Sequence, residues 1–244
     1  MPTPTSGPCI ASRSTASSGS WPCSAASRMP STAAWRRASM TSDDDLHTLI
    51  VGREAMACRF EVVFNAGEVA DATGLGCEVL DLVDEIESRI SVYRETSELS
   101  RLNAQAAAGW MPVSADLFAL LERAVELGER TGDAFDIAAG SLVRAWGFLR
   151  RQGRVPSAGE LASALSRAGM RHVELDPAAR RVRFREQGVE INPGAIGKGW
   201  AIDRAIDLLE ARGARSVLVH GGSSSVRARG VQGPDLPGRS GWRV

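Results

Sequence analysis

The sequence predicts an α+β fold, with antiparallel sheets and flanking helices. Three observations lead there. A pair of strand-like runs opens the ordered part, around residues 46–67. Amphipathic helical patterns follow one another between residues 76 and 169. A second strand cluster at 172–191 is folded back on itself by an Asp176-Pro177 turn. Helices between antiparallel strands make an α+β layout.

Residues 1–42 are rich in Ser, Ala, Pro and Thr and carry almost no aliphatic side chains. Such a composition buries too little apolar surface to offset chain ordering, so a disordered low-complexity tail is expected. It lacks the apolar run of a secretory signal. Met40 is the expected true start. From Leu46 the chain alternates and then runs apolar through Phe60, Val62, Val63 and Phe64, as a β-hairpin does. Val79, Leu82, Val83, Ile86 and Ile90 recur at helical spacing. Tyr93 sits in the loop that follows, before the short segment "SELSRLN". Ser114 is placed to cap a helix carrying Leu117, Leu120, Leu121, Ala124 and Leu127, with Gly132 just past its end. Ser157 and Glu160 form a capping box for a third helix that stops at Gly169. Residues 172–191 then read as two or three antiparallel strands. A strand-like run, a glycine loop, a helix stopped by Gly213 and a buried-looking strand "SVLVH" complete the described pattern. The domain is placed at 46–244.

The bulk numbers exclude several classes. With 29 basic and 29 acidic residues the formal charge is zero, so there is no broad footprint for nucleic acid or an anionic membrane. No apolar stretch is long enough to span a bilayer. The four cysteines, at 9, 23, 58 and 77, form no C-x-x-C pair and have no His at metal-ligand spacing, which argues against zinc.

The stretch "INPGAIGKGWAIDRAIDLLEARGARSVLVHGG", residues 191–222, holds Lys198, the only lysine among the 29 basic residues. Its glycines match neither phosphate fingerprint. A P-loop separates its first glycine from Gly-Lys by four residues, and the dinucleotide motif reads Gly-x-Gly-x-x-Gly; here the order is Gly-x-x-Gly-x-Gly. The loop nevertheless enters a helix N-terminus, where free amides and the helix dipole favour an anion. Its glycines admit a bulky ligand, and a lysine adds a point charge suited to phosphate. A phosphate-bearing ligand and a plain tight turn with a solvated lysine both fit these features.

Four segments taken together narrow the choice. "MACRFEVV", "SVYRETSELSRLN", "PVSADLFALLERAVELGERTGDAFDIAAGSLVRAWGF" and the glycine-loop stretch resemble, in order, the signatures of the FAD:protein FMN transferase (ApbE) family. The resemblance covers about residues 50–244. It implies an ApbE-like, T-fold-related domain and transfer of FMN from FAD to a Thr or Ser hydroxyl of a target protein, with magnesium required and AMP released. By the same resemblance Met56, Tyr93, Ala134, Phe135, Asp136, Asn192 and Lys198 contact FAD, with Tyr93 packing on the flavin and 134–136 lining the adenosine part. Ala195 falls at a magnesium ligand and would serve through its carbonyl.

The sequence also departs from that family. Asn192 stands where many relatives carry Asp, and "HGGSSS" replaces a common "NAGGD", removing an acidic residue near Ser223 or Ser224. His220, beside that turn, reads as a structural strand-end histidine before a substrate-handling one. Asp203 and Asp207 lie one helical turn apart, past the loop, and read as a solvated or capping face. The family's remaining metal ligands lie beyond residue 244, so a C-terminally incomplete domain is expected. An FAD-binding module or inactive fragment is the alternative to a working transferase, and the compartment is left open.

Overall fold

The structure, a computed structural model, describes residues 10–14, 47–150, 152–233 and 241–242. Strand β1 (Ile10–Ser14) pairs antiparallel with β2 (Thr48–Ala55), which pairs with β3 (Cys58–Asn65). Helix α1 (Ala72–Ile90) follows, capped by the Asp71 carboxylate, which accepts the Gly74 N–H at 2.9 Å. Next come α2 (Glu98–Gln105), the short strand β4 (Met111–Pro112), α3 (Ala115–Arg130), α4 (Gly140–Ala145) and α5 (Ala158–Arg167). The chain closes with β5 (Val173–Asp176), β6 (Arg181–Phe184), α6 (Gly197–Ala211), β7 (Val217–Gly221) and β8 (Ser225–Arg229).

Two antiparallel sheets result. The larger runs β1-β2-β3-β7-β8 and the smaller β4-β6-β5. The α+β expectation holds, and so do the Ser114 cap and the Ser157/Glu160 capping box. In the larger sheet one face carries Val51, Phe60, Val62, Phe64, Val217 and Val219, all fully buried. Helices α1 and α6 pack there through Val79, Val83 and Ile86, and through Ile202, Ile206 and Leu209. Each such side chain contributes about 1.5–3 kcal/mol by leaving water. Gly76 lets α1 come this close, because a Cβ there would lie 2.7 Å from the Val51 Cβ. One core continues through Val182 and Phe184 of the small sheet and Leu117, Leu120 and Leu121 of α3.

Two expectations are corrected. Residues 1–42 were expected to be disordered throughout, yet Ile10–Ser14 form β1 along the edge of β2, register Ile10↔Gly52 to Ser14↔Thr48. An open strand edge pairs with backbone regardless of side-chain hydrophobicity, so composition does not forbid it. The other residues of that stretch lie outside those described. The strand-like run before the glycine loop, 189–192, joins no sheet among the described residues. Its backbone is satisfied elsewhere: Gly140 N–H donates to the Glu190 carbonyl (2.9 Å) and Asn192 N–H to the Ile137 carbonyl (2.7 Å). The Asn103 side chain brackets Ile191, donating to its carbonyl and accepting its N–H, both at 2.9 Å. Position 140 must be glycine for this approach, since a Cβ would sit 2.5 Å from the Glu190 oxygen.

Candidate functional site

Three loops meet at one end of the larger sheet. The first is the two-residue turn between β2 and β3. Ala55 pairs with Cys58, so Met56 and Ala57 form the turn, with φ of 50° and 60°. Two left-handed central residues fit the twist of a tight hairpin, but that role usually falls to Asn or Gly. For residues bearing a Cβ the left-handed region costs roughly 1–2 kcal/mol each. The Met56 N–H donates to Glu87 Oε2 of α1 at 2.8 Å.

The second loop runs from Ser91 to Ser97. The Ser91 carbonyl accepts from the hydroxyls of Ser97 (2.6 Å) and Ser100 (3.2 Å), and Ser97 also caps α2. This pins the loop at both ends and leaves Tyr93 outward, 70% exposed. An aromatic so exposed contributes little to the core, which makes it available to a ligand.

The third loop is Asn192–Lys198. Asn192 Oδ1 accepts the Gly194 N–H at 3.0 Å and opens a 3₁₀ turn over Pro193–Ala195. Helix α6 then starts at Gly197 without a side-chain cap. Its first amides keep their affinity for an anion. Lys198 Nζ donates to Ser224 Oγ at 2.9 Å.

Between the three loops lies a cavity of about 230 Å³, and Met56, Glu87, Tyr93, Asn192 and Lys198 line it. A second, of about 590 Å³, adjoins it at Val92 and Tyr93 and is lined also by Asn103, Arg144 and Glu190. Small-molecule sites typically measure about 300–1,000 Å³; the first cavity falls below that range and the second within it.

The expected site residues thus divide. Met56, Tyr93, Asn192 and Lys198 converge on the first cavity. Ala134, Phe135 and Asp136 follow α3 and line neither cavity. Ala134 is exposed, Phe135 packs against the core, and the Asp136 carboxylate accepts two backbone amides, Ala138 (2.7 Å) and Met170 (3.0 Å). Their link to the site is the Asn192–Ile137 backbone bond. Ala195 is exposed at the end of its 3₁₀ turn. Among the described residues no group of three or more His, Cys, Asp or Glu lies close enough to hold a metal ion. One backbone carbonyl falls short of the oxygen set magnesium takes, so these residues do not build its site.

His220 pairs with Glu61 across the β3–β7 register, Nε2 to Oε2 at 2.8 Å. Asp203 is engaged by Arg227 and Asp207 by Arg204, each at 2.7 Å. Cys58, next to the Met56 turn, feels the site's charges. Burial pushes its thiol up, the Lys198 ammonium draws it down, and Glu54 and Glu87 raise it again. Glu87 and Asn103 escape sequence reading, because a carboxylate on a helix face and an amide at a helix end look like ordinary solvated groups.

Comparison with known proteins decides the family. The ApbE family model matches residues 56–244. The chain belongs to the ApbE family. Among its relatives is the FAD:protein FMN transferase of Treponema pallidum, 34% identical over 172 residues, which make up 68% of this chain and 47% of that protein. The Vibrio cholerae protein of the same name is 29% identical over 178 residues, covering 72% of this chain and 51% of its own length. This ApbE-family chain therefore spans about half the length of the curated relatives it matches. Its fold agrees with a flavin transferase ApbE structure from Vibrio cholerae (TM-score 0.69, 25% identity, 75% of this chain and 60% of that one). It also agrees with the ApbE protein of Thermotoga maritima (TM-score 0.68, 28% identity, 75% and 59%).

Proposed function

We propose that this chain binds FAD in the Met56–Tyr93–Lys198 cavity and serves transfer of FMN from FAD to a Thr or Ser hydroxyl of a target protein. The convergence of Met56, Tyr93, Asn192 and Lys198 on one cavity at the start of α6 carries this reading. Met56 and Tyr93 offer thioether and aromatic surface to a flat ring, while the uncapped amides of α6 and the Lys198 ammonium suit phosphate. The relatives' shared name supplies the donor and the class of acceptor.

In the proposed reaction the acceptor hydroxyl oxygen forms a bond to the flavin-side phosphorus. The bond from that phosphorus to the bridging oxygen breaks, AMP departs with that oxygen, and the hydroxyl proton passes to water. Little covalent chemistry is asked of the protein, whose part is position and charge. Lys198 and the α6 amides would hold the phosphates, and the Met56 and Tyr93 walls would fix the ring. Magnesium enters through the family resemblance at the Ala195 carbonyl, and the residues described do not hold it by themselves. That observation favours a second reading, in which the chain binds FAD without transferring FMN.

Titration of the chain with FAD, followed by flavin fluorescence, tests the cavity. Incubation with FAD, magnesium and an acceptor protein, followed by acceptor mass, tests transfer. A gain of one FMN supports the transferase; saturable FAD binding without mass gain supports the binding module. No saturable binding overturns both.

A further inference from the structure

We infer that Glu87 is the positioning residue of this cavity: held between the Met56 amide and the Arg94 guanidinium, it sets the spacing of the Met56 turn and the Tyr93 loop. The inference rests on the flavin reading of the cavity, since a flat ring is what that spacing would grip.

The β2–β3 ladder closes at the Ala55–Cys58 pair, so the Met56 N–H lies outside it. That amide belongs to a turn whose two residues are both left-handed, a conformation side chains with a Cβ resist. Such a turn persists when its surroundings over-determine it. Glu87 Oε2 takes the amide at 2.8 Å, a bond to an ionised acceptor and so stronger than a neutral one. Glu87 Oε1 faces the other way, 3.8 Å from the Arg94 guanidinium, and Arg94 directly follows Tyr93. One carboxylate therefore touches both walls that present ring-contacting side chains.

The position of Glu87 is itself fastened. Arg53 of β2, 7% exposed, reaches Asp81 and Asp84 of α1, each at 2.6 Å. Asp81, Asp84 and Glu87 recur every three residues, so they share the helix face turned towards β2. The ion pairs lock α1 to the strand that leads into the turn, and Glu87 lies one helical turn further along, level with Met56. Its side chain is 22% exposed and lines the cavity.

The test compares wild type with Glu87→Gln, Glu87→Ala, and Glu87→Ala combined with Ala57→Gly. Three quantities are read: amide hydrogen exchange at Met56 without flavin, FAD affinity by fluorescence, and the melting temperature of the flavin-free protein. Glu87→Ala is expected to speed Met56 exchange and to weaken FAD binding about tenfold, as follows if the freed turn holds its binding geometry about a tenth of the time. Its melting temperature should fall by only about 3–6 °C, the worth of the Met56–Glu87 bond in a chain of this size. Glu87→Gln keeps an oxygen for the amide and should lose about threefold. Ala57→Gly should recover most of the affinity lost in Glu87→Ala, because glycine adopts the left-handed turn unaided.

Unchanged FAD affinity in Glu87→Ala overturns the inference. Equal losses in the Gln and Ala variants with no recovery by glycine also overturn it, since the carboxylate would then act on the ligand by charge. A large drop in melting temperature with intact affinity of the folded fraction makes Glu87 a general structural residue and overturns it too. If wild type fails to bind FAD while Met56 exchange still responds to Glu87→Ala, the flavin reading has failed. The ring-spacing role then falls with it, although the pinned turn is real.

Discussion

Residues 192–198 and residues 134–136 carry the same expected task, contact with FAD, yet the fold uses their hydrogen-bonding capacity in opposite ways. In the glycine loop the start of α6 has no side-chain cap, and Lys198 bonds a single exposed serine hydroxyl. In the 134–136 segment Asp136 accepts the Ala138 and Met170 amides, and the Phe135 N–H donates to Thr131 Oγ1 at 3.0 Å. Open capacity is what a ligand can use at little cost. Committed capacity has to be withdrawn from the fold first, and a half-buried amide left unpaired is expensive. The difference separates a loop that leaves polar groups open from one whose groups hold its neighbours.

The sharpest way to break that comparison is Asp136→Ala. Two bonds to a carboxylate disappear and two backbone amides lose their partner, so stability should fall by about 2–4 kcal/mol in urea denaturation. FAD affinity of the folded fraction should change little. Unaltered stability with lost FAD binding would instead make Asp136 a ligand contact, as the family resemblance implies.

Lys198→Ala is the converse experiment. Melting of the flavin-free protein should barely move, because a hydroxyl partner on the surface is easily replaced by water. FAD binding should weaken by about ten- to a hundredfold, the worth of one charge-assisted contact to phosphate. A protein that unfolds while its folded remainder binds FAD normally would place Lys198 among the committed groups.

Cys58 reads the same charge without any flavin. The Lys198 ammonium draws its thiol down against burial, so Lys198→Ala should push the thiol up and slow its alkylation at mildly alkaline pH. An unchanged rate would mean that the ammonium does not reach the turn.

The smallest effect belongs to a group with no expected ligand. The Glu160 carboxyl is held down to about 2 by the Ser157 amide, then by Arg154 and the Ser157 hydroxyl. A carboxyl lower in the folded state than its ordinary 4.5 stabilises fully above that pH and loses its contribution as pH falls towards about 2. Glu160→Gln should flatten the stability profile across that window modestly, since the group is exposed and solvent-screened. FAD affinity should not respond. Were it to respond, commitment to the fold would be no guide to distance from the ligand.

Much of the molecule was legible before folding. Hydrophobic period, the Ser114 cap, the Ser157–Glu160 box and the Gly132 and Gly213 stops are local signals, each written within a few residues, and they mark out the helices. The motif order likewise placed the chain in its family. Tertiary structure decided the rest, because the deciding contacts join residues far apart in the chain. That β3 lies between β2 and β7 depends on pairing 58–65 with 217–221, and no local pattern encodes such a partner. The same pairing brings the Met56 turn near Lys198, whereas Asn103 and Gly140, rather than a neighbouring strand, hold the run before the loop. Whether a polar side chain serves a ligand or the fold is settled by which backbone amides lie beside it once the chain has packed. Asp136, expected at the ligand, and Glu87, unmarked in the sequence, both turn out to hold backbone amides.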